Sequence, residues 1–267
     1  MTGFSAKWLT LREPYDLRAR NADVLSAVAK QFDALPSLRI TDLACGTGST
    51  ARAVGPRFKQ PQMWKLVDND LSLLARAGVD AAGPNRKIIT QPVDLAFDVE
   101  AALDGPIDLV TTSALLDLVS EEWLERLATE LAARRLPFYA ALSYDGRVEI
   151  SPSDPLDRPV VDAVNLHQKS DKGFGPALGP NAATAAVRQF ENVGYEVVSG
   201  PADWVFETFD TAIQKATLAG WAVAATEIDS SLRLKTSAWL ERRDERIEAA
   251  ESRIVVGHID FFARPTT

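Results

Sequence analysis

Asp42-Leu43-Ala44-Cys45-Gly46-Thr47-Gly48-Ser49 stands directly after a short apolar run and directly before a helical pattern. Glycines at 46 and 48 let the backbone turn sharply and let a ligand approach without meeting a side chain. The helix that follows presents unpaired N–H groups and the positive end of its dipole. A dinucleotide fingerprint asks for Gly-x-Gly-x-x-Gly; here Ala51 takes the third glycine's place, and the acid ahead of the turn, Asp42, lies outside that pattern.

Around this loop, short apolar runs alternate with helical spacing. Strands are expected at 39–44, 65–68, 87–91, 107–111 and 137–143, with helices between them at 50–58, 71–77 and 121–134. Such alternation implies right-handed crossovers and a parallel sheet with helices on both faces. The second strand ends at Val67-Asp68-Asn69-Asp70 and the third near Pro92-Val93-Asp94-Leu95. Asp42, Asp68 and Asp94 are spaced 26 residues apart, one strand–helix unit each time. The three acids therefore line one edge of the sheet, where open α/β sheets bind ligands.

Ahead of the sheet, residues 1–36 form a helical lead. Val24, Leu25, Val28, Phe32 and Leu35 keep a helical period that Pro36 closes, and Pro14 is expected to break the piece before it or to open the next turn. Residues 37–143 are the sheet core. Residues 144–181 are an irregular insertion: 144–147 reads as a turn into a short strand at 148–150, and 151–181 carries five prolines and three glycines. Within 182–267, Asn181 caps a helix to about 192, a strand follows at 195–199, two helices occupy a helical insertion at 207–252, and a last strand spans 253–262. A single domain with insertions is the simplest organisation.

Apolar residues make up 46% of the 267 and charged residues 25%, enough for an ordinary core. The formal charge of −8 is the wrong sign for a polyanion, which speaks against nucleic acid. The lone cysteine, Cys45, excludes an internal disulfide and a Cys-based zinc site, and no metal is expected. The start does not read as a signal peptide, and the longest weakly polar run is too short for a bilayer, so a soluble cytoplasmic protein without membrane partners is expected.

Asp-x-Ala-Cys-Gly-Thr-Gly, then Val-Asp, then Val-Asp-Leu, with Ile107-Asp108-Leu109-Val110-Thr111-Thr112-Ser113-Ala114-Leu115-Leu116 as the fourth-strand segment, resembles the class I S-adenosylmethionine-dependent methyltransferases over about residues 38–143. The resemblance implies a Rossmann-like, doubly wound, mostly parallel seven-stranded sheet with an antiparallel last strand. It also implies a methyltransferase that uses S-adenosyl-L-methionine. Asp42, Ala44, Cys45, Gly46 and Gly48 would surround the methionine part of the cofactor, and Asp68 the ribose hydroxyls. Asn69 would lie beside the adenine, Asp94 would accept its amino group, and Leu95 would sit near the ring. Ser113 and Ala114 would lie under the sulfonium, and Arg20 in the lead would pair with the cofactor's carboxylate.

Methyl transfer from a sulfonium is mainly a matter of position, so no residue type is obligatory. Candidates for a base are Asp117, Tyr144 at the end of the fifth strand, and His167 in the irregular segment. His258, midway along the last strand, reads as structural. Trp8 and Trp204 are candidates to wall a pocket, whereas core packing explains most tryptophans. No Asn/Asp-Pro-Pro-Tyr/Phe motif follows the fourth strand, and a small-molecule acceptor fits the acidic chain best. Two other readings stand beside this one: an NAD(P)-dependent oxidoreductase, and a non-catalytic cofactor-binding protein of the same fold. The late helices suit a lid or a homodimer contact equally.

Overall fold

The computed structural model describes residues 4–266. In chain order its elements are α1 (Ala6–Ala19), α2 (Ala22–Gln31), β1 (Leu38–Leu43), α3 (Ser49–Val54), β2 (Gln62–Asp68), α4 (Leu71–Asp80), β3 (Arg86–Pro92), α5 (Val99–Ala102) and β4 (Leu109–Ser113). There follow α6 (Glu121–Ala133), β5 (Phe138–Ser151), α7 (Asp157–His167), α8 (Ala182–Asn192), β6 (Tyr195–Pro201), β7 (Trp204–Phe206), α9 (Thr211–Ile228), α10 (Arg233–Glu248) and β8 (Arg253–Pro265).

All strands join one sheet in the order β3-β2-β1-β4-β5-β8-β6, and β7 pairs along β8. The first five run parallel, and β8 lies antiparallel between β5 and β6. The seven expected strands and the reversed last strand are thus present, and the three residues of β7 add an eighth. From β1 the chain winds outward to β3 and then returns to β4, so the direction of winding switches between β1 and β4. A crevice opens at the carboxyl ends of strands on either side of such a point.

Alternate side chains of each strand serve opposite layers. Ile40, Trp64 and Leu66 pack against Val24 and Val28 of α2, Val54 of α3 and Ala77 of α4. Leu43, Val67, Val110 and Phe138 pack on the other face against Val99 of α5, Leu127 of α6 and Phe190 of α8. Burial on both faces explains why these strands read as continuous apolar runs.

Four local expectations need correction. Pro14 lies inside α1, which continues to Ala19. Side-chain contacts offset its cost: within the helix Arg12 Nε meets Asp16 Oδ2 at 3.0 Å across the proline, and from outside it Arg52 of α3 grips Glu13 through Nε and Nη2 at 2.6 and 2.7 Å. The 144–147 turn does not end the fifth strand, because β5 runs through it with register shifts against β8. The segment after it contains α7, whose Val160, Ala163 and Val164 are buried and which packs against α9. Asn181 does precede α8, but its side chain makes no capping bond. Among the described residues no helix is long and apolar enough to cross a membrane.

Candidate functional site

The chain leaves β1 in a series of left-handed residues, Ala44 (φ +52°), Gly46 (φ +54°) and Gly48 (φ +80°). Gly48 N-caps α3, and a Cβ there would lie 3.0 Å from Ala81 Cβ and 3.4 Å from Leu66 Cδ1, so packing as well as backbone angle demands glycine. At Gly46 the nearest atom to a Cβ would be Leu9 Cδ1 of α1, at 3.2 Å. The lead helix therefore lies over the loop. Cys45 is buried, and burial followed by the charges of Asp42 and Asp68 pushes its thiol far above the ordinary range, which leaves a small packing residue and no nucleophile.

Asp42 is fully buried at the end of β1. Its Oδ1 accepts from Thr111 Oγ1 at 2.7 Å, while Oδ2 has no hydrogen-bond partner among the described residues. Burial pushes this carboxyl up to about 7, against the pull of the Thr111 hydroxyl, the Arg20 charge and the nearby Thr50 hydroxyl. Arg20, at the end of α1, is also buried: Nη1 donates to Tyr139 Oη at 3.2 Å, Nη2 to Ser113 Oγ at 3.3 Å, and Nε has no partner among the described residues. Tyr139 in turn donates to Asp260 Oδ2, which also accepts from Asn21 N, while Asp260 Oδ1 accepts from Leu142 N. A small cavity of about 50 Å³ opens beside Arg20, Ser49 and Arg52. An orphaned carboxylate oxygen and an orphaned guanidinium nitrogen are high-energy features when buried. Asp42 Oδ2 calls for a donor such as an ammonium, and Arg20 Nε for an acceptor such as a carboxylate, the two charged groups of an α-amino acid.

Asp68 ends β2 with Oδ2 accepting from Gly46 N at 2.9 Å and Oδ1 from Asp70 N at 3.0 Å. It braces the glycine loop, and each oxygen keeps a lone pair for a further donor. Asn69 beside it is exposed. Asp94 follows β3, exposed, with Oδ1 accepting from Ala96 N at 3.1 Å and its carbonyl from Phe97 N and Asp98 N, which is the geometry of a turn residue. Leu95 is buried, and its carbonyl accepts from Trp123 Nε1 at 2.6 Å.

Beyond Ala114 lies a cavity of about 380 Å³, walled by aromatic and aliphatic side chains that include Trp8, Trp204 and Trp221. Ala114 (φ +52°) and Leu142 (φ +56°) on its floor are left-handed without being glycine, as is Ala44 at the end of β1. Strained backbone of this kind persists where the surrounding structure holds it, and it gathers at ligand sites. The polar wall consists of Arg12, Asp117, Tyr144, Gln168, Thr217 and His258. Tyr144 Oη donates to Asn165 Oδ1 at 2.7 Å, and burial raises its hydroxyl above the ordinary tyrosine range. His258 Nδ1 lies 3.0 Å from the Val256 carbonyl and so carries the proton; burial pushes the ring down to about 3 and keeps it neutral. Burial pushes the Asp117 carboxyl up to about 6.

Asp117 and Tyr144 thus share this cavity with Ala114, and His167 does not. As the last residue of α7, His167 places Nε2 2.8 Å from Glu227 Oε2 of α9, away from the cavity, while its neighbour Gln168 lines it. The helical path of α7 turns the two side chains apart. Arg12, Thr217, Trp221 and His258 were not marked as site residues by sequence reasoning. His258 carried a signal, being the one imidazole in the antiparallel strand that starts on this side of the sheet. Thr217 and Trp221 sit in an apolar helix and carried none.

No family model matches the chain, and no curated protein matches it in sequence. Among solved structures it is similar to the cyclopropane synthase MmaA2 from Mycobacterium tuberculosis, with a TM-score of 0.52 and 10% identity over 98% of this chain and 94% of that one. It is also similar to S-adenosylmethionine-dependent methyltransferases from Geobacter sulfurreducens and Thiobacillus denitrificans, each in complex with S-adenosyl-L-homocysteine. Those align over 99% and 98% of this chain and 100% of theirs, at 14% and 16% identity and a TM-score of 0.47. The likeness to the first, spanning nearly the whole of both chains, together with the strand order, gives the chain the class I methyltransferase fold.

Proposed function

We propose that the protein is an S-adenosylmethionine-dependent methyltransferase acting on a small molecule. The observation that carries this reading is the pair of buried orphaned atoms, Asp42 Oδ2 and Arg20 Nε, flanking the glycine loop at the switch point of the sheet. Asp42 would hold the cofactor's ammonium and Arg20 its carboxylate. Asp68 would take the ribose hydroxyls with its remaining lone pairs, and Asn69, Asp94 and Leu95 would border the adenine. Ser113 and Ala114 would lie under the sulfonium, next to the 380 Å³ cavity that would receive the acceptor. S-adenosylmethionine supplies an electrophilic methyl group: the bond from acceptor atom to methyl carbon forms as the carbon–sulfur bond breaks, and that electron pair stays on sulfur. The chain's own task is to bind, orient and exclude water.

The test is calorimetric titration with S-adenosylmethionine, S-adenosylhomocysteine and NADH in parallel. Binding of both sulfur ligands and not of NADH is expected. Binding of NADH alone would return the oxidoreductase reading, and silence from both sulfur ligands would overturn the proposal.

A further inference from the structure

The wall of the 380 Å³ cavity holds two polar side-chain atoms that are buried and unpartnered among the described residues: Asp117 Oδ1 and Thr217 Oγ1. Both residues are only 6% exposed. They come from different elements, Asp117 from the turn after β4 and Thr217 from the middle of α9. A helical threonine ordinarily returns its hydroxyl to the carbonyl one turn back, and Thr217 does not. Two such atoms in the lining of one apolar space are costly unless a ligand completes them.

The remaining charges on this wall are spoken for. Arg12 donates through Nε to Asp16 Oδ2 at 3.0 Å and lies over the Trp204 ring at 5.9 Å, and Trp204 Nε1 donates to Asp16 Oδ1 at 2.9 Å. Tyr144 is held by Asn165, and His258 is engaged at Nδ1. Asp117 is therefore the acid of this wall that has no cation bonded to it. An acceptor that is itself a carboxylate would meet it charge against charge, and an alkylammonium has no lone pair with which to take a methyl group until it has lost its proton.

Building on the methyl-transfer reading, we infer that the acceptor is an uncharged, largely apolar molecule whose methylated atom bears a hydrogen, a hydroxyl or an uncharged amine, and that Asp117 is the catalytic residue that takes this proton. As the new bond to carbon forms, the electron pair of the acceptor's O–H or N–H bond stays on the acceptor atom. The proton passes to the Asp117 carboxylate and from there to water. Thr217 orients the acceptor by hydrogen bonding to the same polar group. Trp8, Trp204 and Trp221 enclose its apolar body.

Three probes of one shape separate the possibilities: 1-naphthol, 1-naphthylamine and 1-naphthoate, titrated calorimetrically into the full chain without cofactor. The naphthol and the naphthylamine are expected to bind at least about tenfold more tightly than the naphthoate, the size of one charged contact. Asp117→Asn should bring the naphthoate to within about threefold of the naphthol. Should that variant not fold, Thr217→Val keeps the inference open to test, because it should weaken the naphthol by about threefold or more and leave the naphthoate unchanged. Equal binding of naphthoate to the parent, a preference that survives Asp117→Asn, or binding of none of the three would overturn the inference. With S-adenosylmethionine added, Asp117→Asn should lower kcat for whichever probe accepts methyl by about a hundredfold while S-adenosylhomocysteine affinity holds. Loss of that affinity in the parent would instead mark failure of the methyl-transfer reading, and Asp117's role would fall with it.

Discussion

Thr111 Oγ1 donates to Asp42 Oδ1 at 2.7 Å between register-matched positions of β4 and β1. The contact ties together the two strands between which the winding switches. It also occupies one oxygen of a fully buried carboxylate and leaves Oδ2 without a partner among the described residues. An acid so placed disfavours its own charged form, and a cationic ligand relieves it.

The first prediction follows from that cost. A carboxyl whose folded-state value is raised, here from 3.8 to about 7, binds its proton better folded than unfolded. Stability is therefore lost progressively as pH rises from about 4 through about 7, and the loss is complete above that. Asp42→Asn, which keeps an acceptor for Thr111, should raise the melting temperature, and its gain should be larger at pH 8 than at pH 5, by on the order of 3 kcal/mol. For the parent, S-adenosylhomocysteine affinity should rise about tenfold from pH 6 to pH 8 as the carboxylate forms. Melting curves and calorimetry at the two pH values check both signs; a gain that does not depend on pH would count against the assignment.

Asp68 joins the glycine loop to the end of β2 through Gly46 N at 2.9 Å. Asp68→Ala removes both this brace and the proposed ribose contact, so S-adenosylhomocysteine affinity should fall by about 1–3 kcal/mol. Because the ribose belongs to the nucleoside, methylthioadenosine should weaken to the same extent. Unchanged affinity for both ligands would remove Asp68 from the site.

The glycine loop and the acids at strand ends were legible because each depends on local chemistry: a left-handed turn needs Gly46 and Gly48, and strand-to-strand spacing brings Asp42 and Asp68 to one edge. Asp94 shows the limit, since a turn residue and an adenine-binding residue look alike in sequence. Pro14 and α7 were misread because neighbours far away in the chain decide them. Arg52 on Glu13 and the α7 contacts with α9 outweigh local propensity. The acceptor cavity was the least legible part. Arg12, Thr217, Trp221 and His258 come from three separate segments, and only the packing of α1 and α9 over the β5–β8 end of the sheet gathers them.

Two left-handed glycines separate packing from backbone strain. At Gly105 (φ +85°) a Cβ meets nothing within 4 Å, whereas at Gly48 it lies 3.0 Å from Ala81 Cβ in a crowded contact between the loop and α4. Gly105→Ala should cost about 1 kcal/mol, the price of the angle alone. Gly48→Ala should cost about 1–3 kcal/mol more, because the core must also shift. Urea unfolding of the two variants measures the difference, and equal midpoints would show that the loop yields without strain.

Arg20 separates the amino-acid end of the proposed cofactor from its nucleoside. Arg20→Met fills much of the same space without charge, and Asp260 keeps its bonds from Asn21 N, Leu142 N and the Tyr139 hydroxyl, so the fold should persist. S-adenosylhomocysteine, which carries the α-carboxylate, should lose about 2–3 kcal/mol in affinity, the value of a charge-assisted hydrogen bond in a buried setting. Methylthioadenosine has no carboxylate and should bind Arg20→Met as it binds the parent. Parallel calorimetry reads the contrast directly. A loss shared by both ligands would mean that Arg20 supports the site only through Tyr139 and Ser113, and a loss in neither would place the carboxylate elsewhere.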